Sequence, residues 1–136
     1  TDEPTGSYVP DLTQPWVNPG GPPADFELAE DRFVSMSQVA FAMGAGESFV
    51  VADARPSSDY LVSHIEGAIS LPYFDVELLA GDLPKDGWIV TYCGCPHMLS
   101  GLALDALKDM GFTKVAVLDE GFWAWQEAGH PVVPGL

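Results

Sequence analysis

The chain has 136 residues, 47% of them apolar, with 5 Lys plus Arg against 20 Asp plus Glu and a formal charge of −15. That length suits one domain with a sizeable core, and no apolar run reaches the roughly 18 residues that span a membrane. The acidic excess argues against nucleic acid and anionic lipid as partners, and it repels small anionic substrates unless a local positive site overrides the field.

Residues 1–25 hold Pro4, Pro10, Pro15, Pro19, Pro22 and Pro23, with Gly20 and Gly21. Lacking a periodic apolar face, they read as a Pro/Gly-rich arm or linker ahead of a domain at 26–136, onto which Trp16 and Val17 can dock. The acidic start at Thr1 fits the region behind a removed secretion signal or lipid anchor, which predicts an extracytoplasmic location, periplasmic or lipid-anchored. Ser35 to Met43 reads as a helix capped by Ser35, with Val39, Ala40 and Met43 on one face. Phe49 to Asp53 is a buried strand ending in an acid, and Ser57 to Val62 a short helix. Ala68 to Leu71 is a second strand, stopped by Pro72, and Phe74 to Leu79 a helix. Trp88 to Tyr92 is the third strand. Leu99 to Met110 is an amphipathic helix with Leu102, Ala103, Ala106, Leu107 and Met110 on one face, stopped by Gly111. Lys114 to Leu118 is a fourth strand, and Phe122 to Ala128 a last helix before Gly129 and Pro131. Strands alternating with helices indicate a parallel α/β sheet, whose functional site lies at the carboxyl ends of the strands.

Cys93 stands at such an end. It and Cys95 are the only cysteines, and both lie in the connection Cys93-Gly-Cys-Pro-His97 between the third strand and the long helix. Two cysteines this close do not staple a fold; they are chemistry, metal or accident. A thiol there is both solvent-accessible and anion-stabilised, because unpaired amides at a helix start favour negative charge. Cys93 is therefore the candidate nucleophile. Cys95 has three readings: a resolving partner in a strained disulfide or sulfur relay, a metal ligand, or a small residue filling a turn. His97 is the loop's ring base, able to pair with a thiolate, to protonate a leaving group, or simply to anchor the loop. Cys93, Cys95 and His97 make an incomplete zinc or copper ligand set, and their spacing is unusual for a tetrahedral site, so no metal is assigned. Gly94 supplies backbone freedom to curl the loop, and Ser100 caps or opens the helix that follows. Trp123 and Trp125 read as core and rim.

Val51-Ala-Asp-Ala-Arg55, Tyr60 and His64-Ile-Glu-Gly-Ala-Ile-Ser-Leu-Pro72 resemble the D-x-R … H-I-x-G-A-x-x-x-P block of rhodanese-like domains. Tyr92-Cys93 resembles that family's strand end and nucleophile, and Met110-Gly-Phe112 its G-F turn. Leu118 to Trp125, with Ala128-Gly129-His-Pro131, resembles its L-x-G-G-x-x-x-W … A-G-x-P ending, with Glu120 replacing a glycine. The resemblance implies a small five-stranded parallel sheet flanked by helices. It also implies a sulfurtransferase or persulfide carrier whose cysteine takes sulfane sulfur from a small donor and passes it to a thiol, to cyanide or to a protein acceptor, with no bound cofactor. Asp53 and Arg55 are implied to brace the active loop, and His64 to order a turn.

The loop Cys93 to Ser100 departs from the family. Counted back from Gly111 it is one residue longer than the sulfurtransferase form, as in arsenate-reductase and dual-specificity-phosphatase relatives. Those relatives end the loop with an arginine, and here Met98 or Leu99 stands in its place. Oxyanion chemistry of that kind is not expected, and a donor less charged than thiosulfate fits better. Two rival readings stay open. One is a C-x-C thiol-disulfide or sulfur-relay protein; the other is a non-catalytic binding module on the same scaffold.

Overall fold

A computed structural model describes residues 9–94 and 97–135. The strands are β1 (Trp16–Val17), β2 (Phe33–Val34), β3 (Phe49–Asp53), β4 (Ser63–Ile65), β5 (Ile69–Ser70), β6 (Ile89–Tyr92), β7 (Val115–Leu118) and β8 (Val132–Pro134). The helices are α1 (Met36–Gly44), α2 (Ser57–Val62), α3 (Val76–Leu79), α4 (Met98–Asp109) and α5 (Gly121–Glu127). Five strands run parallel in the order β5-β3-β6-β7-β2, and β1 adds an antiparallel sixth on the edge of β3. A separate antiparallel ribbon pairs β4 with β8.

The sheet is covered on both faces, so its strands are continuous apolar runs. Alternation divides them between two cores. Phe49, Val51, Val90, Tyr92, Ala116 and Leu118 join one core with Val39, Phe122 and Trp125. Val50, Ala52, Ile89, Val115 and Val117 join the other with Leu104 and Leu107. The next residue after Tyr92 on this alternation is Cys93, which therefore turns towards the α4 side.

Ser35 Oγ accepts the Gln38 N–H at 3.3 Å, closing the start of α1. Glu120, the acid in place of a glycine, accepts the Met36 N–H at 2.8 Å and ties the β7–α5 corner to the same helix end. The apolar face of α4 is shifted from the expected one. Ala103, Leu104 and Leu107 are buried, while Leu102 is half in solvent at 49% exposure. The Trp16–Val17 segment forms β1 despite the surrounding prolines, and Asn18 beside it donates to the carbonyls of Met43 and Glu47. Among the described residues no helix is long and apolar enough to cross a membrane.

Candidate active site

Cys93 follows β6 directly and lies five residues before the first residue of α4. Its sulfur is not open to solvent, as its place in a loop suggested; Cys93 is 0% exposed. The reason is local: the first turn of α4 folds back onto β6. Thr91 Oγ1 donates to the Ser100 carbonyl at 3.0 Å, and the Cys93 thiol reaches Ser100 Oγ at 3.4 Å. Ser100 is therefore not the cap. His97 occupies that position, and Ser100 sits inside the helix with its hydroxyl against the sulfur. A hydroxyl both accepts and donates, so it can take the thiol's hydrogen bond or turn and donate to a thiolate.

Gly94 does not have the left-handed backbone expected of a loop-curling glycine; it is absent from the positive-φ glycines. Its requirement is space. A Cβ there would come within 2.7 Å of Trp123 Nε1, so the indole lies flush on the loop backbone. Trp123 is 59% exposed and forms rim, whereas Trp125 is fully buried and donates to the Pro131 carbonyl. His97 Nε2 is 2.8 Å from the Asp119 carbonyl and 2.9 Å from its carboxylate, and the ring stacks on Phe33 at 4.4 Å. Both partners of Nε2 are acceptors, so that nitrogen carries a hydrogen. Met98 is exposed at the helix start, Leu99 is half-buried, and Cys95 and Pro96 lie outside the described residues, together with the relay and metal readings that use Cys95.

A buried polar brace supports this loop. Asp53 Oδ1 accepts from Arg55 N and Nε, and Oδ2 accepts from Arg55 Nη2 and from the Tyr92 hydroxyl, each at 2.8 to 3.0 Å. Arg55 Nη2 also donates to the Ser63 carbonyl at 2.7 Å, and the Tyr92 oxygen accepts the Ile65 N–H. Burial pushes the Asp53 carboxyl above its ordinary range, and the Arg55 hydrogen bonds and charge pull against that shift. Burial also works against the Arg55 charge, but Asp53 outweighs it and holds the guanidinium protonated. The pair is ionised, because every donor around Asp53 favours its anion. Burial, then the Asp53 charge, push the Tyr92 hydroxyl well above its ordinary value, so it stays a neutral donor. The brace reaches Cys93 through Phe122: the guanidinium lies 4.2 Å from that ring's centre, and the Phe122 N–H donates to the Cys93 carbonyl at 3.0 Å. His64 lies apart from the loop, stacked on Tyr60 at 3.8 Å with Nδ1 on the Tyr60 carbonyl.

The family model for the rhodanese-like domain matches residues 35–128. The chain belongs to the rhodanese-like domain family. It is 37% identical over 113 residues to the HTH-type transcriptional regulator Rv0324 of Mycobacterium tuberculosis, covering 82% of this chain and 49% of the regulator. The chain thus spans about half the length of that curated relative. It is 29% identical to the thiosulfate sulfurtransferase GlpE of Shewanella oneidensis, covering 74% of this chain and 98% of that protein. Among solved structures, the rhodanese-like domain of the Alr3790 protein from Anabaena sp. superposes with a TM-score of 0.69 at 29% identity, covering 78% of this chain and 80% of the other.

The rhodanese-like assignment and the α/β fold read from the motif blocks are those of the folded chain. Sequence reasoning put Ser100 in the loop but missed its contact with the sulfur, and it missed Trp123 as a neighbour of Gly94. Ser100 reads from the sequence as capping or opening the helix because helix starts favour serine, and nothing in the pattern shows that the helix already begins at Met98. The contact of Trp123 with Gly94 joins residues 29 apart, and its signal was the pairing of an absent side chain with an exposed indole.

Proposed function

We propose that this domain is a sulfurtransferase or persulfide carrier working through Cys93. The observation that carries the reading is the placement of Cys93 in a rhodanese-like domain: at the carboxyl end of a central parallel strand, before the start of α4, beside the Ser100 hydroxyl. A strand end facing a helix start favours an anionic sulfur. In the first half-reaction the Cys93 thiolate attacks the donor's outer sulfur; the S–S bond to the carrier breaks and the carrier leaves with the electron pair. In the second, cyanide or a thiol attacks the outer sulfur of the Cys93 persulfide, and the Cys93 thiolate is regenerated. The Ser100 hydroxyl stabilises that thiolate by donating to it. The brace acts by position, holding the Cys93 carbonyl through Phe122.

Steady-state transfer to cyanide, read as thiocyanate, gives parallel double-reciprocal lines because donor and acceptor never occupy the site together. Cys93→Ser abolishes turnover. Intersecting lines, or turnover retained in Cys93→Ser, contradict the reading. Cys95→Ser separates transfer by Cys93 alone, which survives the change, from a relay, which does not.

A second reading is favoured by the similarity to a transcriptional regulator together with the burial of Cys93: a domain that holds one sulfur without turning over. Persulfide formation with no release to any acceptor would select it.

A further inference from the structure

We propose that the donor accepted at Cys93 is a persulfide, R–S–S–H, on an uncharged carrier, and not an oxyanion such as thiosulfate; this rests on the sulfur-transfer reading above. The chain has five Lys and Arg residues in all, and each is either paired with an acid or far from the sulfur. Arg55 is buried against Asp53. Arg32 reaches the Gly101 carbonyl, one residue past Ser100, but forks onto Asp105, whose carboxylate at 3.0 Å offsets its charge. Lys85 lies 5.2 Å from the Phe112 ring centre, and Lys114 donates to the Asp86 carbonyl just before β7 begins. Both are thus at the amino edge of the parallel sheet, the edge opposite Cys93. Lys108 is in the last turn of α4, ten residues beyond Met98, or about 15 Å along the helix axis.

His97 is the remaining candidate cation near the sulfur, and any charge on its ring is offset by the Asp119 carboxylate at 2.9 Å. Among the described residues around the loop, the large apolar side chains that meet solvent are Met98 at 70% and Trp123 at 59% exposure, beside His97 and that acid. A dianion approaching a protein of charge −15 meets an apolar and acidic rim that, among the described residues, offers no cation without an acid partner. A persulfide on an uncharged carrier bears at most the single charge of its terminal sulfur and meets far less opposition, and an alkyl carrier can lie on the indole and the thioether. The step balances without an oxidant. Cys93–S⁻ attacks the outer sulfur of R–S–S–H, the new S–S bond forms as the old one breaks, and R–S⁻ leaves and takes a proton from water.

The test compares kcat/KM for thiosulfate with that for the persulfide of N-acetylcysteamine, an uncharged thiol, using the intact chain and cyanide as acceptor. The expected preference for the persulfide is at least about a hundredfold at low salt. Raising the ionic strength from about 0.05 to 0.5 M narrows it, because screening relieves the dianion more than a donor of at most one charge. Met98→Arg, a change at an exposed position, narrows it by roughly tenfold. Equal efficiency with both donors, or a preference indifferent to salt and to Met98→Arg, overturns this inference and leaves sulfur transfer standing. Transfer from neither donor by the folded protein overturns both.

Discussion

The loop around Cys93 is held by two acid–base pairs of opposite character. Asp53 and Arg55 are 0% and 7% exposed, with each carboxylate oxygen bonded more than once. His97 and Asp119 are nearly half exposed and make one contact region at the rim. A buried pair is costly to break because the survivor keeps its charge without a partner. An exposed pair adds little stability, since water and salt replace it readily. The buried pair therefore sets where the loop stands, while the exposed pair contributes the charge that a donor meets.

The sharpest way to break this contrast is Arg55→Met, which leaves the Asp53 carboxylate buried without its main partner. It is expected to cost about 3 to 5 kcal/mol in a denaturant titration. A loss below about 1 kcal/mol would mean that the brace does not hold the fold. Tyr92→Phe removes two hydrogen bonds, to Asp53 and from Ile65. It should cost roughly 1 to 3 kcal/mol near pH 8. The sign of its pH dependence follows from the raised hydroxyl pKa. The neutral phenol adds stability that is whole below about pH 10, the unfolded value, and is lost as pH climbs towards the folded one. The gap between the protein and Tyr92→Phe thus narrows above pH 10, and a gap constant to pH 11 would show that the hydroxyl titrates normally. Asp119→Asn at the rim should change stability by less than about 1 kcal/mol while improving the use of thiosulfate relative to a persulfide on an uncharged carrier. A large loss of stability with unchanged donor preference would reverse the roles given to the two pairs.

The brace was easier to read from the sequence than the rim. Asp53 and Arg55 lie two residues apart at the end of an apolar strand, so their pairing is local and their motif visible. The rim depends on contacts across long separations, such as Phe33 with His97 and Gly94 with Trp123. The same division holds for the fold. The runs 49–52 and 115–118 are apolar throughout and read directly as buried strands. β1 and β2 have two residues each, too few for a period, and only pairing with β3 and β7 defines them. The strands β4 and β8 pair across almost seventy residues and carry no strong alternation. Burial of Cys93 was not legible because it comes from the first turn of α4 closing onto Thr91, not from the residue's own neighbours in sequence.

Mass spectrometry of the intact folded protein after brief exposure to one equivalent of a small persulfide addresses the central claim most directly. The account predicts a gain of about 32 Da carried on Cys93, discharged by cyanide and absent in Cys93→Ser. An unchanged mass, or the same gain in Cys93→Ser, would contradict it.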